Sequence, residues 1–67
     1  MITLTVNGKP RDLDQETPLL DFLTQFKLNP KAVAVEYNGE IAPRETYDRI
    51  VLKAGDRVEI VRMMGGG

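Results

Sequence analysis

The chain has 67 residues, a formal net charge of −1, and neither cysteine nor histidine. This length holds one domain, and the balanced charge argues against nucleic-acid binding, which normally requires a concentrated basic face. Serine is also missing, so the usual nucleophiles, the commonest general base and the thiolate ligands of metals are all absent, and we do not expect an enzyme.

The first predicted element is a β-hairpin. Residues 2–6 alternate apolar side chains with threonines, which is the pattern of a half-buried strand. Asn7-Gly8 follows and favours a type I′ turn, because both central positions of that turn need a positive φ. Residues 10–13 return as a short second strand, and Pro10 indicates that this strand lies at the edge of a sheet.

One helix is predicted after the hairpin. Thr17 suits the N-cap position and Pro18 the first helical position. A stop is predicted at Asn29-Pro30. One stripe of the helix is apolar and is predicted to face the core: Leu19, Phe22, Leu23 and Phe26.

The second half of the chain returns to strand patterns. Residues 33–37 alternate apolar and other side chains before a second turn signal at Asn38-Gly39, and residues 40–43 follow as a short extended return or crossover. Residues 54–56 predict a turn. The last strand is predicted to begin at Arg57 and to continue through Met64, since no turn signal precedes the glycines.

The order β-β-α-β-β predicts an α+β chain with the β-grasp, or ubiquitin-like, fold. In this fold a mixed four- to five-stranded sheet packs on one helix, and the first and last long strands lie parallel at the sheet centre. One helix cannot cover two faces, so the other face of the sheet is expected to meet solvent or a partner. We assign residues 1–64 to the β-grasp domain and residues 65–67 to a flexible C-terminal glycine tail.

Three stretches of the sequence resemble the ThiS family of thiamine-biosynthesis sulfur carriers. They are "ITLTVNGKP", "AVAVEYNGEIAPRE" and "LKAGDRVEIVRMMGGG", and together they cover essentially the whole chain. The "MM" pair before the glycines departs mildly from the small or aliphatic residues usual there. The resemblance implies that the carboxylate of Gly67 is adenylated and then converted to a thiocarboxylate, which donates its sulfur for thiazole formation.

The same resemblance implies how the tail and the partners take part. Gly65, Gly66 and Gly67 would be threaded into partner sites, where residues without a Cβ fit most easily. The partners would be a ubiquitin-activating-like adenylyltransferase, a sulfur-donating desulfurase or rhodanese-type protein, and thiazole synthase. ATP and the sulfur donor would be used by the activating partner, so no cofactor or metal is expected on the carrier itself.

A candidate partner-facing patch precedes the tail: Val61, Arg62, Met63 and Met64. Strand alternation places Val61 and Met63 on the face away from the helix, and both a core role and a partner contact stay open for them. The neighbouring charged residues, among them Glu59, are expected to form a solvated face.

Other functions also stay open at this point. The small subunit of molybdopterin synthase would share the fold and the chemistry but serve another acceptor. A ubiquitin-like modifier or tRNA-thiolation carrier would couple its carboxylate to lysines or feed a tRNA thiolase. A β-grasp binding module would use no covalent chemistry. The apolar runs are too short to span a membrane and no signal peptide is evident, so we expect a cytoplasmic protein that is a monomer when free, without nucleic-acid or membrane partners.

Overall fold

The computed structural model describes residues 1–63, which form strands, one α-helix and two 3₁₀ helices. Within this range no helix is long and apolar enough to cross a membrane. The strands and the helix, in chain order, are β1 Ile2–Val6, β2 Lys9–Leu13, β3 Thr17–Pro18, α1 Leu19–Gln25, β4 Val33–Tyr37, β5 Glu40–Ala42, β6 Val51–Leu52 and β7 Arg57–Arg62. The 3₁₀ helices are Pro30–Ala32 and Arg44–Arg49.

The main sheet has the strand order β2-β1-β7-β4-β5, and the short strands β3 and β6 pair separately. Strands β1 and β7 are parallel, with Val6 opposite Val58, and the remaining neighbours are antiparallel. The first and last long strands therefore lie side by side inside the sheet, which confirms the predicted β-grasp arrangement. Pro10 lies in the edge strand β2, where its missing N–H costs no ladder hydrogen bond, as the sequence predicts.

The core lies between α1 and one face of the sheet. Successive residues of a strand point to opposite faces of the sheet, so every second strand residue faces the core. The apolar stripe of α1 supplies further core side chains. The alternate residues of each strand point away from α1 and form the open face of the sheet. The buried apolar side chains are Leu4, Leu13, Leu19, Phe22, Leu23, Val33, Val35, Tyr47, Leu52 and Val58.

The start of α1 differs from the prediction. The assignment of Thr17 as N-cap is wrong by one residue, since α1 begins at Leu19 with Pro18 in the cap position and no side-chain capping bond. Thr17 and Pro18 instead pair with β6, and the Leu19 N–H donates to the Ile50 carbonyl at 2.9 Å. A backbone acceptor thus satisfies the first amide of the helix in place of a capping side chain.

The end of α1 comes earlier than the predicted stop at Asn29-Pro30. Lys27 adopts a left-handed conformation with φ 58°. Its N–H donates to the Thr24 carbonyl at 3.0 Å, and the Leu28 N–H donates to the Leu23 carbonyl at 2.8 Å. These two bonds form a Schellman motif, in which the backbone closes the helix without the usual glycine.

Phe26 follows the last helical residue and is 39% exposed, so its prediction as a core residue is wrong. Its ring packs against Phe22 with 4.7 Å between the centroids. The guanidinium carbon of Arg11 lies 4.7 Å from the centroid of the Phe26 ring, a cation–π geometry. Phe26 therefore forms part of a surface groove between α1 and the sheet.

Candidate functional site

The described part of the chain stops one residue after β7, and we call Arg62 and Met63 the exit point. The strand ends at Arg62, so its predicted continuation as strand through Met64 is wrong at Met63. The Met63 N–H nevertheless donates to the Ala32 carbonyl at 2.8 Å, which fixes the backbone one residue beyond the strand. Met64 and the three glycines lie outside the described residues, as do the predictions made for them.

Arg44 supports this exit point from a different part of the chain. Its Nε donates to the Pro30 carbonyl and its Nη2 to the Lys31 carbonyl, both at 3.2 Å. The guanidinium thereby holds the 3₁₀ helix whose last residue, Ala32, accepts the bond from Met63. This chain of contacts sets the position of the backbone at Met63.

Asn7 anchors β7 from the other side. Asn7-Gly8 forms the predicted turn, with φ values of 51° and 81°. The Asn7 side chain bonds to the backbone of Ile60, its Oδ1 accepting from the N–H at 2.7 Å and its Nδ2 donating to the carbonyl at 3.2 Å. The carboxamide thus replaces the next peptide group of β1 and extends the parallel ladder towards the C-terminal end of β7. The sequence indicates only the turn, and this second role is not visible in it.

Replacing Asn7 with glycine is expected to lower the free energy of unfolding by about 1–2 kcal/mol. Glycine keeps the positive φ of the turn, so the loss reports the two side-chain bonds to Ile60. Chemical denaturation measures the stability, and hydrogen exchange of the Ile60 amide should become faster relative to that of Val58. Equal protection of the Ile60 amide in both proteins would contradict this role of Asn7.

The open face of the sheet carries an apolar patch next to the exit point. Ile41 is 77% exposed, Val61 is 61% exposed and Met63 is 44% exposed. Val61 lies directly opposite Ala34 in the antiparallel pair of β4 and β7. We call these four residues, Ala34, Ile41, Val61 and Met63, the open-face patch; they line adjoining shallow depressions. A contiguous exposed apolar surface is typical of a protein-binding site.

The structure separates the predicted patch residues. Val61 and Met63 lie in the open-face patch, as strand alternation predicts. Arg62 points to the other face and lines the groove that contains Arg11 and Phe26. Ile41 is absent from the predicted patch, because the sequence indicates β5 only as an extended return and does not reveal which residues face outwards. Ala34 is absent because only the register between β4 and β7 places it opposite Val61.

The comparisons with known proteins identify the family. The model described as "ThiS family" matches residues 4–67. The chain belongs to the ThiS family. The sulfur carrier protein ThiS of Bacillus subtilis is 38% identical over 65 residues, which cover 96% of this chain and 98% of that protein.

A solved structure of a ThiS-family protein supports the same fold. The crystal structure of the thiamine biosynthesis protein ThiS from Geobacter metallireducens matches with a TM-score of 0.83 and 40% sequence identity. The match covers 98% of this chain and 100% of the other. The β-grasp topology of this chain is therefore shared with an experimentally determined member of the family.

Two relatives are much longer proteins. The thiazole synthases of Paramagnetospirillum magneticum and Magnetococcus marinus are 34% and 37% identical over 64 and 62 residues. These matches cover 96% and 92% of this chain but only 20% and 19% of the relatives. The chain thus spans about a fifth of the length of these two relatives.

In this ThiS-family chain, the end of β7 far from the exit is fixed by Asp56. Its carboxylate accepts hydrogen bonds from the Tyr37 hydroxyl at 2.6 Å, the Lys53 N–H at 2.8 Å and the Asn38 side chain at 3.3 Å. Burial alone would raise the pKa of Asp56, but these bonds and the Lys53 charge outweigh it and lower the pKa. Burial, together with the bond to Asp56 and its charge, raises the pKa of Tyr37 to about 12. This cluster is structural, because it lies at the start of β7 and holds the turn at residues 38–39 to the turn at residues 54–55.

Proposed function

We propose that this protein is a sulfur carrier that delivers sulfur for thiazole formation in thiamine biosynthesis. The observation that carries the proposal is the family match, which extends through residue 67 and so includes the three glycines. The similarity to the Bacillus subtilis protein named a sulfur carrier, over nearly the full length of both chains, supports it. The sulfur would be carried as a thiocarboxylate on Gly67.

The proposed chemistry has two steps, both catalysed by partners. A ubiquitin-activating-like adenylyltransferase joins the Gly67 carboxylate to the α-phosphate of ATP, and pyrophosphate leaves. A persulfide on a desulfurase or rhodanese-type protein then attacks the acyl-adenylate and displaces AMP. A thiol cleaves the resulting acyl disulfide, which releases the thiocarboxylate with sulfur in place of one carboxylate oxygen and leaves the donor as a mixed disulfide. This carrier contributes the reacting carboxylate and a docking surface, and therefore acts as a co-substrate modified by other enzymes.

The geometry of the described residues supports this role. Strand β7 lies inside the sheet, and its bonds from Asn7 and to Ala32 fix the backbone on both sides of Arg62. Three glycines in an extended conformation reach about 10 Å beyond their anchor. The open-face patch lies at this exit, so a partner that binds the patch holds its active site within reach of the chain end, which raises the effective concentration of the carboxylate there.

We propose thiazole synthase as the acceptor of the sulfur. The support comes from the two relatives named thiazole synthase, in which a segment similar to nearly the whole of this chain forms part of a longer polypeptide. A carrier-like segment within the same polypeptide places sulfur delivery at high effective concentration. The separate chain would reach the same enzyme by docking through its surface.

The test is an intact mass measurement after incubation with ATP, a sulfide source and the activating adenylyltransferase. We expect a gain equal to one sulfur minus one oxygen, localised to the C-terminal glycine peptide. The Bacillus subtilis carrier serves as the positive control for the competence of the enzyme. An unchanged mass, with the control carrier converted, would contradict the proposal and leave a β-grasp binding module without covalent chemistry.

A further inference from the structure

Two acidic side chains face each other in the middle of the open sheet face. Glu36 on β4 lies directly opposite Glu59 on β7 in the antiparallel register, and both are exposed. Side chains that are directly opposite have their Cβ atoms about 4.5–5.5 Å apart. The neighbouring pair on one side is Ala34 with Val61. Ile41, on β5, lies opposite Glu36. The two glutamates therefore adjoin three residues of the open-face patch, Ala34, Ile41 and Val61.

We expect this arrangement to be unfavourable in the free protein. Like charges directly opposite each other on a sheet destabilise the strand pair. On the same face of β7 the basic residue Arg57 lies two positions before Glu59, on the side away from Val61. Among residues 1–63 no group of three potential ligands gathers to hold a metal ion, so the pair is not part of a metal cluster.

We propose that Glu36 and Glu59 form a docking site for an arginine of the activating adenylyltransferase, presented within an apolar surface. A planar guanidinium offers donors on several edges and can bond to two carboxylates at once, which a lysine ammonium does less well. Apolar residues around that arginine on the partner then pack against Ala34, Ile41 and Val61. This contact shields the ion pairs from water. The proposal rests on the proposed function for the identity of the partner.

Two features of the surface lead to this occupant. The charge of the pair requires a cationic partner group, because an acidic or purely apolar surface would leave the two carboxylates desolvated and unpaired. Glu59 also lies on β7, the strand that leads directly to the C-terminal segment, so a protein bound to the pair is beside the segment on which it acts. The opposing carboxylates cost stability in the free protein and contribute affinity in the complex.

The test compares Glu36→Gln/Glu59→Gln with the control Asp14→Asn/Glu16→Gln. Both variants change the net charge equally, and the control residues are exposed in the segment between β2 and β3, at the other edge of the sheet from β5. Adenylation of each protein by the activating enzyme is measured as a function of carrier concentration. We expect the KM for the Glu36/Glu59 variant to rise at least about tenfold, with kcat and the control little changed. The KM of the wild type should also rise more steeply with salt than that of this variant.

Thermal unfolding provides an independent readout. Removal of the repulsion should raise the Tm of the Glu36/Glu59 variant by about 1–5 °C, whereas a merely structural pair would lower it when removed. An unchanged KM, or a loss confined to kcat, would overturn the docking role. A wild-type carrier that is not adenylated at all would instead contradict the proposed function, so the two failures are distinguishable.

Discussion

Replacement of Asp56 by asparagine is expected to lower the free energy of unfolding by about 2 kcal/mol at neutral pH. The asparagine side chain has one acceptor oxygen, whereas the carboxylate accepts bonds from Tyr37, Lys53 and Asn38. At least one donor would then face the new NH₂ group. Chemical denaturation at pH 7 measures the loss, and Asp12→Asn provides a matched control, since its Oδ1 accepts only the exposed Thr3 hydroxyl. Equal stability of the two variants would contradict the structural role of Asp56.

The pH dependence follows from the direction of the two pKa shifts. The pKa of Asp56 is lowered in the fold, so its contribution is present above its unfolded value of 3.8 and is lost as the pH falls through the folded value. The difference between wild type and Asp56→Asn should therefore shrink below pH 3.8. Tyr37 has its pKa raised from 10.0 to about 12, so wild-type stability should fall between these values, and Tyr37→Phe should remove that alkaline loss.

Much of the fold was predictable because its signals are local. The alternation in β1, β4 and β7 and the two Asn-Gly turns lead to the observed strands, and Pro10 marks the edge. The errors lie at the two ends of α1, where backbone groups close the helix in place of the side-chain cap and stop signals that the sequence offers. The Ile50 carbonyl takes the place of a cap at the start of α1, and a Schellman motif at Lys27 closes the helix before the apolar stripe reaches Phe26.

The site was predictable only in part, for a related reason. Alternation along β7 assigns Val61 and Met63 to the open face without knowledge of their neighbours. The register between strands decides that Ile41 belongs to the open-face patch and that Glu36 lies opposite Glu59. The sequence of a single strand does not contain this register. Glu59 was accordingly expected to be merely solvated, although the pairing makes it a charged element of the docking surface that we propose.

Deletion of Gly67 is expected to lower the rate of adenylation at least about 100-fold, because the carboxylate of the shortened chain falls one residue, about 3.5 Å, short of the α-phosphate. The stability should change by less than about 0.5 kcal/mol, since among residues 1–63 the buried core side chains lie between Leu4 and Val58. Intact mass and pyrophosphate release measure the first quantity, and thermal unfolding measures the second.

A second variant separates the effect of tail length from that of the reacting carboxylate. The full-length chain with its Gly67 carboxylate converted to an amide keeps the reach but lacks the nucleophilic oxygen, so it should not be adenylated while still competing with the wild type for the activating enzyme. Gly65→Ala tests whether the tail requires a glycine at position 65, and this variant should retain activity within about tenfold of the wild type. Adenylation of the amidated chain would show that a side chain, and not the terminal carboxylate, is the modified group. A truncated chain that is activated at the wild-type rate would remove the requirement for reach, and with it the reason for glycines at these positions.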